Sequence, residues 1–441
     1  MDTRRFLLAL PGKIGAQGRL ILRDPRRFIE NLDHTLHPGK LQQKWAGLEP
    51  MPPMHVSIDA GAATKPYLNV LLPRLGPGSL TGGPNTAISI ACGLAARGIP
   101  IRILAVDEGV PADTGALWNH VLAIAGTGQA RPDITFGSTV DPANPARLGP
   151  LDVFLATYWT TAFRLKPVLA RMVSKDFIYL IQDFEPGFYA WSTSYAQALE
   201  TYGMRFRALI NERLLADYLV ETRTGRFADP GFMARCAVFE PAVDRRLFHP
   251  VEATGVRRQL LFYARRQPRN LFGIGLEALD AAVRDPLFAD GDWKFVAIGG
   301  GLLARTALGG GRFLEPAPWL NYEDYARLIR ESDILLCPML SPHTSYPVLE
   351  KAACRGVVVT NTFADKTQDR LRAISANIIA EAPSVEALCG GIVSAARRLT
   401  SGSTAAGSIA LPPDWPTALH DTVVAARDMF HEAVRAADAV D

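Results

Sequence analysis

Arginine residues cluster between a predicted strand and a predicted helix in the second half of the chain. Arg265, Arg266 and Arg269 lie between the apolar run Leu260–Tyr263 and a helical pattern that begins at Leu271. A guanidinium group matches the oxygen atoms of a phosphate through two parallel hydrogen bonds, so this spacing predicts a site that neutralises a pyrophosphate. The structural alternative is a solvated basic turn on the protein surface.

A second candidate site follows the apolar run Ile334–Met339. The loop after this run contributes polar and aromatic side chains that we assign to the same ligand: His343, Thr344, Ser345 and Tyr346. Pro347 suits the first turn of a helix because its missing N–H has no partner there, so free N–H groups of that turn are predicted to face a phosphate. Glu350, about one turn further along, is placed to accept hydrogen bonds from hydroxyl groups.

Two glycine pairs lie beside predicted helices and strands. Gly82 and Gly83 precede a helical pattern, and Gly299 and Gly300 follow the predicted strand Trp293–Ile298. Because glycine has no Cβ atom, it lets the backbone approach a ligand closely, and we assign all four residues to ligand binding. Tight or flexible turns are the alternative interpretation of both pairs.

Aromatic and acidic residues follow two predicted strands in the first half of the chain. The strands are Val153–Thr157 and Phe177–Ile181, and the residues assigned to ligand binding are Tyr158, Trp159, Asp183 and Glu185. Aromatic rings stack on the apolar face of a sugar while carboxylates accept hydrogen bonds from its hydroxyl groups, which predicts a carbohydrate ligand. Asp183 and Glu185 are candidates to orient that ligand, or to act as a base. Packing of the aromatic rings in a core is the alternative.

The order of the predicted elements indicates an α/β fold. The run ending at Met339, the helix from Pro347, which Gly356 is predicted to end, and the strand Val357–Thr360 form one strand–helix–strand unit. Two strands joined in this way are parallel, and the ligands of parallel sheets bind at the carboxyl ends of the strands. The predicted binding residues all follow strand ends, so we expect them to meet at one edge of each sheet.

Composition excludes several classes of function. The 441 residues suffice for two or three domains. The net charge is +3, and residues 1–30 alone contribute +4, from seven Arg or Lys and three Asp or Glu. The remaining residues therefore sum to −1, so nucleic-acid binding is not predicted. Five widely spaced cysteines form no Cys-x-x-Cys or Cys/His cluster, so no metal site is predicted and a reducing compartment is favoured.

The first 30 residues combine basic and apolar side chains. They are typical either of an amphipathic contact with an anionic membrane or of a helical extension packed on the rest of the protein. No apolar run reaches the roughly 18–20 residues that span a bilayer. We therefore expect a cytoplasmic protein, with residues 1–30 as a candidate contact with the inner face of the cell membrane.

The second candidate site resembles a family signature. The stretch from Glu350 to Val359, EKAACRGVVV, resembles the glutamate, small-residue and Gly-x-x-Val-Val pattern of family 4 nucleotide-sugar glycosyltransferases with the GT-B fold. The acidic residue that this family carries eight positions before the glutamate is replaced by Pro342. The variant SPHTSYPVLE, which ends at Glu350, resembles the bacterial rhamnan-synthesis rhamnosyltransferases of that family. Val243, Asp244, Phe248 and Pro250 are similar to the family's element that crosses between its two domains.

The resemblance implies a fold and a division of labour. It implies two Rossmann-like, doubly wound domains that face a cleft, at residues 61–239 and 240–413, with a basic extension at 1–60 and the helix 414–441 packing back on the first domain. The nucleotide-sugar donor is expected on the second domain and the glycan acceptor on the first. Arg265 matches the family's arginine, Arg269 replaces its lysine, and Arg266 is a rival for that place.

The resemblance also implies a reaction. We expect transfer of L-rhamnose from a deoxythymidine-diphosphate donor to a growing bacterial surface glycan, free or lipid-linked, with retention at the anomeric carbon. Arg265, Arg269 and Glu350 are the expected catalytic residues, and neither a metal nor a cofactor is expected. Because Pro342 replaces an acidic residue, His343 and Thr344 are the nearest substitutes for holding the sugar hydroxyl groups.

Three alternatives stay open. The chain is instead a glycan-binding protein that keeps the fold without turnover, a transferase for another nucleotide sugar, or a dinucleotide-dependent oxidoreductase. The last is disfavoured because no Gly-x-Gly-x-x-Gly follows a predicted strand with an acidic residue about 20 positions later.

Overall fold

The computed structural model describes residues 51–59, 65–80, 82–126, 131–251, 258–289, 293–403 and 409–438. The chain divides into two compact units, Met1–Pro53 and Met54–Asp441, and the fold and site described below belong to the second. The basic segment 1–30 and its predicted membrane contact lie outside the described residues. None of the described helices combines the length and the apolar character that crossing a membrane requires.

The first half of the larger unit is built on a parallel sheet. Its strands are β1 (Val56–Ile58), β2 (Leu68–Leu72), β3 (Ile101–Ala105), β4 (Ile134–Ser138), β5 (Ala146–Leu148), β6 (Val153–Ala156), β7 (Phe177–Ile181), β8 (Phe206–Asn211) and β9 (Cys236–Phe239). Seven of the described strands form one sheet in the order β4-β3-β2-β6-β7-β8-β9, with every pair parallel. The order reverses between β2 and β6, which is where a doubly wound sheet binds its ligand. Strand β1 lies before residue 61, the predicted start of this domain, and it pairs with β5 in a separate two-stranded sheet.

The second half repeats this arrangement. Its strands are β10 (Arg258–Tyr263), β11 (Trp293–Ile298), β12 (Thr306–Ala307), β13 (Phe313–Pro316), β14 (Ile334–Leu336), β15 (Val357–Asn361) and β16 (Ile378–Glu381). They pair in the order β12-β13-β11-β10-β14-β15-β16, and only the short edge strand β12 is antiparallel among those described. The order reverses between β10 and β14.

Helices cover the faces of both sheets. They are α1 (Gly83–Ala95), α2 (Thr114–Ala125), α3 (Trp159–Leu169), α4 (Thr193–Thr201), α5 (Arg213–Glu221), α6 (Phe272–Ala282), α7 (Tyr322–Glu331), α8 (Tyr346–Ala353), α9 (Gln368–Ile374), α10 (Val385–Thr400) and α11 (Trp415–Asp438). Helices on both faces bury the strands, so β2 and β7 are buried along their whole length. This burial explains why these strands are continuous apolar runs in the sequence.

The last helix lies against the first sheet. Leu419, Val423 and Phe430 of α11 share a buried core with residues of α1, β2 and β3. A Cβ atom at Gly93 of α1 would lie 2.9 Å from a methyl group of Val423, so the glycine permits this close approach. The buried face of α11 therefore forms part of the core of the first domain.

Two local predictions in the strand–helix–strand unit are wrong. The strand predicted over Ile334–Met339 ends at Leu336, because Pro338 has no N–H to donate to the ladder. The helix ends at Ala353 rather than at Gly356. Gly356 has another role: a Cβ atom there would lie 1.8 Å from Cε of Lys351, so its absence makes room for that buried side chain.

Candidate functional site

The two points of reversed strand order face each other across a cavity of about 630 Å³. Its lining comes from loops that follow strand ends of both sheets, as parallel sheets require. The following predicted residues line it: Gly82, Gly83, Tyr158, Asp183, Glu185, Arg265, Arg269, Gly299, Gly300, His343, Ser345, Tyr346, Pro347 and Glu350. The fold thus brings both predicted groups, which are far apart in sequence, into one site.

Three predicted residues lie behind the lining instead. The ring of Trp159 is buried, and its Nε1–H donates to the hydroxyl of Tyr189 at 3.0 Å. Arg266 donates from Nε to the carbonyl oxygen of Gly301 at 2.6 Å. The N–H and hydroxyl of Thr344 donate to Oε1 of Glu212 at 2.6 and 3.0 Å. Each side chain therefore supports the site through protein contacts.

Arg265 is open to a ligand on the second-domain side of the cavity. It makes no ion pair with a described residue, and its Nη1 lies 3.4 Å from the hydroxyl of Tyr263. Gly299 has φ of 91°, and a Cβ atom there would lie 2.9 Å from Cγ of Arg265. The glycine turn after β11 therefore gives room to the stem of Arg265.

The loop after β14 is held from below by β15 and its following turn. The Asn361 side chain accepts from the N–H of Met339 at 2.5 Å and donates back to its carbonyl oxygen at 3.2 Å. Lys366 also donates to that carbonyl at 2.9 Å, and burial lowers the pKa of its amine to about 8. These contacts fix the loop that carries His343 and Ser345 towards the cavity.

Helix α8 begins at the cavity. Ser345 precedes it with φ of 80°, a conformation that a non-glycine residue adopts only when its surroundings impose it. The N–H of Ser345 donates to Nδ1 of His343 at 2.9 Å, and burial lowers the pKa of His343 to about 3. His343 is therefore neutral, and its Nδ1 acts as an acceptor. As the first helical residue, Tyr346 has an N–H without a partner inside the helix.

Glu350 lies one turn into α8 and is held by two tyrosines. Its Oε2 accepts from the hydroxyl of Tyr325 at 2.7 Å, and Oε1 lies 3.5 Å from the hydroxyl of Tyr322. Phe248, from the element that crosses between the domains, packs edge-on against both rings. Burial raises the pKa of Glu350 to about 7, so the carboxyl group changes its charge near neutral pH.

The carboxyl groups of the first domain are already engaged. Oε2 of Glu185 accepts from the N–H of Trp159 at 2.5 Å, and burial raises its pKa well above the ordinary value. Because this carboxyl group is buried and one of its oxygen atoms already accepts from the backbone, its environment favours the orienting role for Glu185. Oδ1 of Asp183 accepts from the N–H of Phe184 at 2.8 Å and from the hydroxyl of Ser341.

Two predicted residues with different roles bind each other. Arg269, expected to hold the donor, forms an ion pair with Asp183, expected to hold the acceptor. The guanidinium of Arg269 also lies over the ring of Phe188, 4.1 Å from its centroid. Burial lowers the pKa of Arg269 to about 10, so the side chain stays charged at neutral pH.

The sequence interpretation missed several lining residues. They are Gln182, Phe188, Tyr263, Trp319, Tyr322 and Tyr325. Trp319 is 85% exposed and follows β13, a strand that was not predicted because its four residues include an exposed Phe313 and end on Pro316. The sequence signal that could have identified Trp319 is an aromatic residue directly after Pro318, downstream of the apolar pair Phe313 and Leu314.

The described residues contain no group of three or more His, Cys, Asp or Glu side chains arranged to hold a metal ion. Independence from a metal remains a prediction about the reaction.

Family models match both halves of the chain. Residues 67–211 match the model described as "WsaF, N-terminal domain", and residues 258–393 match "WsaF, C-terminal domain". Together the two matches span more than half of the 441 residues. The first match covers six of the seven strands of the first parallel sheet, all but β9, and the second match covers the whole second sheet.

The chain is also similar to a curated protein in sequence and to a solved structure in fold. The O-antigen biosynthesis protein RfbC of Myxococcus xanthus is 36% identical over 230 residues, which are 50% of this chain and only 16% of that protein. Sucrose-phosphate synthase from Thermosynechococcus elongatus superimposes with a TM-score of 0.50 at 13% identity, over 85% of this chain and 97% of that one. This likeness and the two facing sheets confirm the predicted GT-B fold.

Proposed function

We propose that this chain, which belongs to the WsaF family through both of its domains, is a glycosyltransferase that adds a sugar to a bacterial surface glycan. The observation that carries the proposal is the second-domain wall of the cavity. There Arg265, the glycine turn at Gly299 and the first turn of α8 converge from three different strand ends. This arrangement suits the diphosphate of a nucleotide sugar better than a neutral ligand.

The chemistry follows from the charge that develops during transfer. When the bond between the sugar and the diphosphate breaks, the leaving group gains negative charge. Arg265 and the N–H of Tyr346 at the start of α8 are placed to stabilise that charge, and Arg269 lies beside them in the lining. Stabilisation of the leaving group by fixed charges replaces the role that a metal has in other transferases, so we propose a metal-independent reaction.

Glu350 is proposed to bind the nucleoside. It lines the cavity one turn into α8, and Tyr325 and Tyr322 hold its oxygen atoms in place. An ionised carboxylate accepts hydrogen bonds from the hydroxyl groups of a nucleoside sugar. His343 and Ser345, on the adjoining loop, are proposed to contact the transferred sugar, in the place of the acidic residue that Pro342 replaces.

The acceptor is proposed to bind on the first-domain wall. Tyr158 stacks with Phe188 at a centroid distance of 6.2 Å, which forms an aromatic surface in the lining. Glu185 lines the cavity on the same wall and is proposed to form a hydrogen bond with a sugar hydroxyl group. Gly82 and Gly83 begin α1 on the same side and allow the backbone to approach the ligand.

The finer assignments rest on the sequence resemblance. The stretch from Ser341 to Glu350 favours family 4, deoxythymidine-diphosphate L-rhamnose as donor and retention at the anomeric carbon. The name of the RfbC relative supports an O-antigen or related surface glycan as the product. In a retaining reaction of this type, the donor's own phosphate is proposed to take the proton of the acceptor hydroxyl, so no protein base is required.

Turnover and binding together test the proposal. Purified protein is incubated with deoxythymidine-diphosphate rhamnose and other nucleotide sugars, and a thermal-shift screen ranks the donors. A ligand at ~100 times its dissociation constant adds roughly 2.7 kcal/mol to stability. The preferred donor is then mixed with rhamnose-containing oligosaccharides, and mass spectrometry follows the product and the released nucleoside diphosphate.

The outcomes separate the alternatives. Product formation from the rhamnose donor supports the full assignment, and product formation from another donor corrects the donor alone. Glycan binding without any turnover supports a non-catalytic glycan-binding protein. A shift produced by nicotinamide dinucleotides, with none from nucleotide sugars, contradicts the proposed function.

A further inference from the structure

The ion pair between Asp183 and Arg269 connects the two walls of the cavity. Asp183 follows β7 of the first sheet, and Arg269 lies in the turn between β10 and α6 of the second. Their side chains are 10% and 16% exposed, so both charges are largely removed from water. Under the proposed function, the pair joins a donor-binding residue to an acceptor-binding residue.

Arg269 is incompletely satisfied by this pair. Its Nη1 donates to Oδ2 of Asp183, but its Nε is buried and has no hydrogen-bond acceptor among the described residues. An unpaired buried N–H is unfavourable, and more so on a charged group. A guanidinium has five N–H groups in a fixed fork, so a phosphate oxygen could satisfy those that Asp183 leaves unpaired.

Asp183 has other partners that would remain if Arg269 moved. Its Oδ1 accepts from the N–H of Phe184 and from the hydroxyl of Ser341. With both of these donors on Oδ1, the other carboxylate oxygen remains available as an acceptor. Asp183 lines the cavity together with Tyr158 and Phe188, so the freed carboxylate oxygen belongs to this wall.

We infer that the Asp183–Arg269 pair is an exchangeable latch, which the donor diphosphate opens by taking Arg269 and which thereby frees Asp183 for the acceptor. This inference rests on the proposed function. Arg265 has no acidic partner among the described residues, so it offers the first contact to the diphosphate. Arg269 then exchanges one carboxylate for a phosphate group.

The latch sets the order of binding. Before exchange, the charge of Asp183 is compensated, so the carboxylate is a poor acceptor for a sugar hydroxyl. After exchange, the two arginines face the two phosphates, and Asp183 regains its acceptor capacity. Donor binding therefore strengthens acceptor binding, and the coupling is reciprocal. The donor is expected to bind before the acceptor.

Calorimetry with deoxythymidine diphosphate and uridine diphosphate tests the latch directly. Asp183→Asn removes the carboxylate that competes for Arg269, so we expect it to tighten nucleoside diphosphate binding about tenfold. In the double variant with Arg269→Ala, that tightening is expected to disappear. An unchanged or weaker affinity of Asp183→Asn overturns the latch.

Asp217→Asn is the matched control. Asp217 of α5 also forms an ion pair across the domains, with Arg370 of α9 at 2.5 Å, but neither residue lines the cavity. We expect its nucleotide affinity to match that of the unaltered protein. An equal tightening by Asp217→Asn would show that general loosening of the domains, rather than exchange at Arg269, raises the affinity, and would overturn the latch.

A second comparison keeps the test decisive if Asp183→Asn fails to fold. Arg269→Ala leaves Asp183 with its two other donors. In the unaltered protein, part of the binding free energy that Arg269 gains from the diphosphate is spent on breaking its ion pair with Asp183. We therefore expect Arg269→Ala to weaken nucleotide binding at least threefold less than Arg265→Ala does. Equal losses contradict the latch, whereas no nucleotide binding by the unaltered protein contradicts the proposed function as well.

Discussion

The two walls of the cavity differ in how far the protein already satisfies them. On the first-domain wall, Asp183 and Glu185 accept hydrogen bonds from protein groups. On the second-domain wall, Arg265 lacks an ion-pair partner among the described residues. The first N–H of α8 has no hydrogen-bond acceptor within its own helix. A wall with unused donors favours an anion, and a wall of satisfied groups beside aromatic rings favours a neutral ligand.

Burial reinforces this difference in charge. It raises the pKa of Glu185 well above its ordinary value, which disfavours a negative charge on the first-domain wall. Burial of Arg269 lowers its pKa only to about 10, so the arginine charge is kept. The field in the cleft therefore favours a charged donor on one side and an uncharged sugar on the other, although the chain as a whole is nearly neutral.

Removing Arg265 is expected to have the largest effect on this contrast. A hydrogen bond to a charged group is worth roughly 1.5–3 kcal/mol, so Arg265→Ala should weaken nucleoside diphosphate binding about 10- to 150-fold. Arg266→Ala serves as the comparison, because Arg266 is bound to Gly301 and does not line the cavity. Calorimetry with deoxythymidine diphosphate measures both variants. Equal losses would return Arg266 to the donor site.

Glu350→Gln is expected to sharpen the assignment of the second wall to a nucleoside. A ribose offers Glu350 two neighbouring hydroxyl groups and a deoxyribose only one, so the variant should weaken uridine diphosphate about tenfold more than deoxythymidine diphosphate, in line with one charge-assisted hydrogen bond. The difference should be larger at pH 8 than at pH 6, because the pKa of Glu350 is about 7 and the group is ionised above it.

Two results would contradict the proposed contact between Glu350 and the nucleoside. Equal losses for the two nucleotides would mean that the carboxylate does not contact the 2′-hydroxyl group. An unchanged affinity for both would remove Glu350 from the donor site. Glu323→Gln, at an exposed position in the first turn of α7, is the control for a change of carboxylate to amide.

Glu212→Gln is expected to act on stability rather than on binding. Burial raises the pKa of Glu212 to about 8, above its ordinary value of 4.5. The folded protein therefore keeps a proton that the unfolded chain loses, so this contribution to stability is full below about pH 4.5 and is lost as the pH rises towards 8. Gln at this position still accepts from Thr344 but does not titrate.

Urea unfolding at pH 5, 6, 7 and 8 measures that contribution. The free energy of unfolding of Glu212→Gln should fall less steeply with pH than that of the unaltered protein, by up to about 1.4 kcal/mol per pH unit. The Glu221→Gln variant, at the exposed last residue of α5, should retain the original slope. Identical slopes for Glu212→Gln and the unaltered protein would mean that Glu212 is ionised in the folded state.

The smallest expected effect is that of a chelator. If the arginine charges and α8 stabilise the leaving diphosphate, EDTA should leave the transfer rate unchanged. The measurement is the initial rate before and after chelation, with magnesium added back. Loss of activity on chelation and recovery with magnesium would show that the second wall needs a metal to bind the donor.

Much of the fold follows from local patterns. The apolar runs Phe177–Ile181 and Trp293–Ile298 are strands with the predicted bounds. The strands β4 and β13 escaped prediction because their short sequences are partly exposed and lack a continuous apolar run. Pro338 shortened β14 by a local mechanism that the sequence displayed and the interpretation overlooked.

The sequence by itself determined, for most strands of the two sheets, which residues follow the carboxyl ends. Strand ends are set by neighbouring residues, through apolar runs, glycines and prolines, and parallel sheets then place these ends at one edge. For that reason Arg265 and Glu350, like Asp183 in the first half, could be assigned to the cleft before the fold was known.

Only the tertiary structure decided the partners and charges of these residues. Asp183 and Arg269 are 86 positions apart, and their contact depends on how two separately folded sheets meet. The neutral state of His343 and the raised pKa of Glu350 come from burial by distant elements. Neither burial nor a long-range contact is written in a local pattern, because both depend on the packing of the whole chain around the cleft.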